Sequence, residues 1–139
     1  MPPVSADQLI SEFRHGEMVL LVLDQSDGEQ TAVVAMAAEY CEADHVTFMA
    51  RQARGLVSLA LTEERCEQLN LPPMVDPATS GAVKLSIEAS TGIDTGISAA
   101  DRAHTVRVAV APDAKPSDLV QPGHILSLIH ISEPTRPPE

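Results

Sequence analysis

His124 has the side chain best suited to move a proton near neutral pH, and it sits in a telling place. It follows Pro122–Gly123 and directly precedes the apolar run Ile125–Leu128, where a loop could hold an imidazole at the rim of a sheet. General acid–base catalysis is the chemistry such a histidine would serve. A second group is the acidic turn, in which Asp24, Asp27 and Glu29 lie within six residues (DQSDGE). Oxygen donors at that density suit Mg²⁺ or Mn²⁺, and a solvated turn has the same composition. A third is Thr91–Val106, TGIDTGISAADRAHTV. Gly92 and Gly96 bracket a turn, Ser98 is placed as a helix N-cap, and Asp101 stands at the capping-box position. Backbone N–H groups at such a helix start can hold an anion, or the junction can be purely structural. His15, His45 and His130 have no companions at ligand spacing, and His104 falls on the polar face of the helix after Ser98. The chain contains no P-loop, G-x-G-x-x-G, H-E-x-x-H or G-x-S-x-G motif.

These residues need elements to position them. Ser5 caps a helix over Ala6–Arg14, with Gln8 at the capping-box position and Gly16 as the stop. Met18–Leu23 (MVLLVL) is a continuous apolar run, which predicts a strand buried on both faces. The acidic turn follows, and Thr31–Ala38 returns as a second apolar segment. Ala43–Ala53 carries Val46, Met49, Ala50 and Ala53 at helical spacing. Leu56–Leu61 predicts another buried strand, and Thr62 caps a short helix over Glu63–Leu69. Val83–Glu88 alternates Val83, Leu85 and Ile87 with Lys84, Ser86 and Glu88, the pattern of a half-buried strand. The helix after Ser98 runs to Ala109, a Pro-punctuated connection spans Ala111–Leu119, and Ile125–Leu128 begins a last strand. Helices and strands alternate without a simple βαβ repeat. The expectation is a mixed α/β single domain over 1–128, with a mixed sheet flanked by helices. The stretch 129–139, IHISEPTRPPE, holds three prolines and no periodicity, and is expected to be an unstructured, non-native tail.

The totals exclude several functions. A chain of 139 residues, 44% hydrophobic, can bury a real core. Aromatics make up 2%, so stacking platforms for single-stranded nucleic acid are missing, and a net charge of −11 opposes a phosphate-backbone partner. Cys41 and Cys66 lack C-x-x-C spacing and read as reduced thiols of a cytoplasmic protein. The N-terminus does not have the pattern of a signal peptide, and no apolar run is long enough to span a bilayer. Neither nucleic acid nor membrane is an expected partner.

Five collinear segments carry a resemblance. They are Met36–Glu39 (MAAE), Phe48–Leu56 (FMARQARGL), Leu61–Val75 (LTEERCEQLNLPPMV), Ser86–Ala103 (SIEASTGIDTGISAADRA) and Asp113–Ile125 (DAKPSDLVQPGHI). Across most of Ser5–Leu128 the chain resembles the 3,4-dihydroxy-2-butanone 4-phosphate synthases of riboflavin biosynthesis. The resemblance implies a lyase that takes ribulose 5-phosphate to 3,4-dihydroxy-2-butanone 4-phosphate and formate. It also implies Mg²⁺ or Mn²⁺ as cofactor and a homodimer with sites near the subunit interface. His124 falls on the family's essential PGH histidine, Glu29 on a metal-binding glutamate, and Thr95 and Asp27 on substrate-binding positions.

The chain also departs from the family. Where the family reads DDEDRENEGD, residues 24–33 read DQSDGEQTAV, so Gly28, Thr31 and Val33 replace an arginine, a glutamate and an aspartate. Ser58 stands in place of a cysteine. The family's GHTE segment, with its second metal ligand, has no counterpart, which implies a C-terminally incomplete domain. A lone Glu29 cannot hold Mg²⁺ without partners. The expectation is therefore a family member with little or no activity of its own. The alternative is a degenerate, non-catalytic dimerisation or regulatory domain, derived from a fusion with GTP cyclohydrolase II.

Overall fold

Local signals start and stop the helices where the sequence puts them. In the computed structural model, which describes residues 3–72 and 83–129, α1 spans Ala6–Arg14. The Ser5 hydroxyl accepts the Gln8 N–H at 3.2 Å, and Gly16, at φ +84°, ends the helix. β1 (Val19–Asp24) and β2 (Gln30–Ala35) pair antiparallel from Val19 opposite Ala35 to Asp24 opposite Gln30. A short 3₁₀ turn at Ala38–Tyr40 leads into α2 (Ala43–Phe48), which continues as a π-helical turn over Met49–Ala53. Arg54, in the left-handed region at φ 55°, breaks it.

β3 (Ser58–Leu61) precedes α3 (Glu63–Gln68), whose first turn is capped by the Thr62 hydroxyl accepting Arg65 N–H at 3.1 Å. β4 (Val83–Ala89) leads through the glycine turn to α4 (Ala99–Val110), and β5 (Leu119–Ile129) closes the described chain. β5 is the middle strand of a three-stranded mixed sheet, parallel to β3 and antiparallel to β4. The expected mixed sheet is thus present, flanked by helices. The β1–β2 hairpin is a separate two-stranded ribbon. Residues 130–139, and with them nearly all of the expected tail, lie outside the described residues.

The core sits between the mixed sheet and the helices. Val46, Leu59, Leu61, Leu69, Ile87, Ala103, Val106, Ala109 and Ile125 are all buried within it. Alternation in β4 turns Ile87 and Ala89 inward, as the pattern predicts. The buried Thr105 hydroxyl of α4 accepts the Ala89 N–H at 3.0 Å, which ties helix to sheet where an unpaired amide would be costly. Arg65 and Gln68 of α3 donate to the carbonyls of Ala111 and Ala114 at 2.7 Å each, fixing the connection that follows α4.

The expectation for Met18–Leu23 needs correction. Only Val19 is buried, while Leu20, Val22 and Leu23 are 60, 54 and 53% exposed. A two-stranded ribbon offers no second layer to cover an apolar run, whatever its composition. Among the described residues no helix is long and apolar enough to cross a membrane.

Candidate functional site

The PGH segment is not a loop before a strand. It lies inside β5, where the ladder breaks register. On β4 the pairing advances by a single residue, from Ile87 (opposite Ile125) to Glu88 (opposite Val120). Gln121, Pro122, Gly123 and His124 are therefore left outside the pairing, as a bulge. Bulges re-aim side chains, and this one returns His124 over β4. The His124 Nδ1 lies 2.5 Å from Glu88 Oε1. The Glu88 side chain is 15% exposed and that of His124 is 42% exposed, so the carboxylate is enclosed and the imidazole reaches solvent.

Two glycines make this approach possible. A Cβ on Gly123 would run into the Ile87 carbonyl and the Glu88 nitrogen, so only glycine lets the bulge lie against β4. The Gly123 N–H donates to the Ser86 hydroxyl at 3.1 Å, which pins it there. From the other side, a Cβ on Gly96 would overlap the Glu88 carboxylate. The glycine turn after β4 thus folds back onto the carboxylate that faces His124.

That turn is held by α4. Ser98 accepts the Asp101 N–H at 3.0 Å, as its placement predicts. Asp101 does not complete a capping box. Its carboxylate instead accepts the N–H groups of Gly96 at 3.0 Å and Asp94 at 3.2 Å. The Asp94 and Gly96 amides of the turn thus hold a carboxylate of the chain's own. His104 adds a third tie, with Nε2 3.0 Å from the Thr91 carbonyl oxygen. Thr95 is exposed, next to Gly96, and its hydroxyl accepts from Ile97 N–H at 3.5 Å.

The hydrogen bond from Gly96, supported by that from Asp94, holds the Asp101 carboxyl below its ordinary range. A depressed carboxyl contributes stability that is present above its unfolded value and is lost as pH falls through the folded one. The amide protons of Asp94 and Gly96 are therefore expected to stay protected at neutral and mildly acidic pH. They should lose protection only below the ordinary carboxylate range, as hydrogen exchange followed by NMR would record. Protection that disappears near neutral pH would contradict this.

The acidic turn is elsewhere. Glu29 N–H donates to Asp27 Oδ1 at 3.0 Å, and Gln30 donates to Asp24 Oδ1 at 2.8 Å, so these carboxylates serve their own turn. Among the described residues no three His, Cys, Asp or Glu side chains converge as a metal would require. The described residues do not fit a divalent ion. Of the four site residues expected from sequence, His124 and Thr95 come to one region beside the mixed sheet. Asp27 and Glu29 belong to the separate ribbon.

Glu88 was missed by sequence reasoning. Its only signal is an acid on the polar face of the strand that enters the glycine turn. Its pairing with a histidine 36 positions away follows from the bulge. Cys41 and Cys66 are buried and form no disulfide, in keeping with the reduced thiols expected. Burial is the main reason that the Cys41 thiol is pushed up, so it is a poor nucleophile in the folded state.

The chain is similar to known proteins in sequence and in fold. Residues 7–134 match the family described as 3,4-dihydroxy-2-butanone 4-phosphate synthase. The synthase of that name from Pseudomonas syringae pv. tomato is 52% identical over 125 residues, which is 88% of this chain and 34% of that protein. The one from Pasteurella multocida is 46% identical, over 86% of this chain and 56% of that protein. Among solved structures, a 3,4-dihydroxy-2-butanone 4-phosphate synthase in complex with two magnesium ions superposes with a TM-score of 0.84 at 38% identity, covering 94% of this chain and 62% of that one. The two-domain synthase RibBX from A. baumannii gives 0.82 at 46% identity, covering 91% of this chain and 38% of that one. The chain thus spans between about a third and three-fifths of the length of these relatives. With sequence match and fold in agreement, the chain belongs to the 3,4-dihydroxy-2-butanone 4-phosphate synthase family.

Proposed function

We propose that this site is built for the family's lyase reaction, which converts ribulose 5-phosphate to 3,4-dihydroxy-2-butanone 4-phosphate and formate in riboflavin biosynthesis. The observation that carries the reading is His124, presented on the β5 bulge with its ring exposed on one side and held by Glu88 on the other. Enolisation of a ketose phosphate begins with removal of a proton from the carbon beside the carbonyl. His124 is the side chain placed to take it. Thr95, exposed on the glycine turn, offers a hydroxyl to the same sugar phosphate. Asp27 and Glu29 would join as substrate and metal contacts only if the β1–β2 turn closed over the sheet. The chain would work in the cytoplasm, as a homodimer.

Turnover by this polypeptide alone should be weak or nil, because among the described residues no carboxylates converge to orient the enediol. Formate release from ribulose 5-phosphate with magnesium present tests this. A rate comparable to that of an intact relative would overturn the expectation of weak activity.

Magnesium occupies the homologous structure, and the donors here do not fit it. Adding magnesium at about 1 mM, or removing it with EDTA, is expected to leave the thermal midpoint unchanged, because a ligand far below its Kd contributes almost nothing to stability. A rise of several degrees would reveal a site.

A second reading is favoured by the exposed apolar faces of the hairpin, at Leu20, Val22, Leu23 and Val33. A non-catalytic domain would use such faces for dimerisation or regulation, whether or not it derives from a fusion with GTP cyclohydrolase II. Size-exclusion chromatography and co-assembly with an intact synthase separate the two readings. A partner domain co-assembles without formate release, whereas a weak enzyme releases formate by itself.

A further inference from the structure

The Glu88–His124 contact brings together two groups whose proton positions are coupled. A carboxylate can only accept a hydrogen bond, so the nitrogen facing it must carry the proton. In a neutral imidazole the other nitrogen is then bare. From the geometry we infer that Glu88 is a positioning residue that locks His124 in the Nδ1–H tautomer and leaves Nε2 as the proton acceptor. This rests on the reading of His124 as the proton-transfer group, and it adds which nitrogen does the work and what selects it.

Three features of the fold support a built arrangement. Glu88 is enclosed, with its carboxylate packed against Gly96 in a place where any side chain at that position would displace it. Gly123 lets the histidine-bearing bulge lie against the Ile87–Glu88 backbone. The Ser86 hydroxyl accepts the Gly123 N–H and so fixes the bulge from a second point on β4. Carboxylate and imidazole are thus each held by their own backbone surroundings, and the 2.5 Å contact between them does not depend on a mobile side chain finding its partner. A ring held this way cannot turn to offer the wrong nitrogen. The glycine turn, which carries the exposed Thr95, therefore also supports the base.

Long-range ¹H–¹⁵N correlation spectra of the ¹⁵N-labelled 139-residue chain at mildly alkaline pH report the tautomer of each histidine directly. For His124 the expected spectrum has a protonated, pyrrole-like Nδ1 and a bare, pyridine-like Nε2. Glu88→Ala should shift the ring predominantly to the Nε2–H form, whereas Glu42→Ala, which removes a carboxylate paired with Arg107 rather than with the bulge, should not. A wild-type ring with its proton on Nε2 would overturn the inference without recourse to any variant. So would a Glu88→Ala spectrum identical to wild type, or a Glu42→Ala spectrum that shifts equally. Deuterium uptake into ribulose 5-phosphate, measured in parallel, separates this inference from the proposed reaction. If uptake is absent while the tautomer signature behaves as expected, the positioning stands and the reaction falls. If both hold, Glu88→Ala should lower kcat for exchange and leave KM largely unchanged.

Discussion

His124→Asn is expected to reduce the exchange of substrate carbon-bound protons with solvent by about 10²–10⁴-fold, the range that a positioned general base contributes. Exchange is the right readout because it isolates the first proton transfer from the later rearrangement, in which the missing carboxylates would matter. Proton NMR of ribulose 5-phosphate in deuterium oxide follows it over hours, so a slow catalyst is still measurable. Asparagine keeps the approximate volume and a hydrogen-bonding group beside Glu88, so the fold around the bulge should persist. His15→Asn is the control. His15 is exposed, and its ring Nδ1 lies 2.6 Å from the Ser11 carbonyl oxygen of α1, far from the bulge in the chain, so exchange should be unchanged. If His124→Asn exchanges as fast as the parent, another group is the base and the proposed reaction loses its central residue.

Much of the fold was legible because it is written in local chemistry. Ser5, Thr62 and Ser98 cap helices as their positions predict, since a hydroxyl three residues before a free amide needs no distant partner. The alternation in β4 was readable for the same reason. Met18–Leu23 was misjudged because an apolar run says that a strand is favourable without saying which layer covers it. Asp101 was placed in a capping box because the spacing allows it. The turn's positive-φ glycines present two amides to its carboxylate instead, a choice that depends on the shape of the whole loop.

The site divides along the same line. His124 could be found from its residue type and its PGH setting, and Thr95 from its motif. Glu88 could not, because its role exists only through a register break between strands that meet across more than thirty residues. Sequence spacing predicted that Asp24, Asp27 and Glu29 could gather around a metal. In the structure Asp24 turns to Gln30 and Asp27 to the backbone of Glu29, which shows that density of carboxylates along the chain is not convergence in space.

Gly123→Ala is expected to cost the fold about 3 kcal/mol or more, near the upper end of what overpacking produces, because the obstacle is backbone. The added methyl would meet the Ile87 carbonyl and the Glu88 nitrogen, and neither can swing aside as a side-chain tip could. Relief requires β4 and β5 to separate next to Ile87 and Ile125, both fully buried, so core packing is lost along with the ladder. Gly28→Ala provides the comparison. Nothing lies within 4 Å of its added methyl, and its φ of +87° is the only penalty, so about 1 kcal/mol is expected. Urea denaturation should show the midpoint of Gly123→Ala falling well below that of Gly28→Ala with similar slopes. If the two variants melt alike, the close approach of the bulge to β4 is not real. The same substitution carries a functional consequence that stability alone would not require. Moving the bulge off β4 withdraws His124 from Glu88, so any folded Gly123→Ala protein should also lose the Nδ1–H signature. Fold and proton acceptor thus depend on one missing methyl group, and a variant that kept the tautomer while losing stability would break that link.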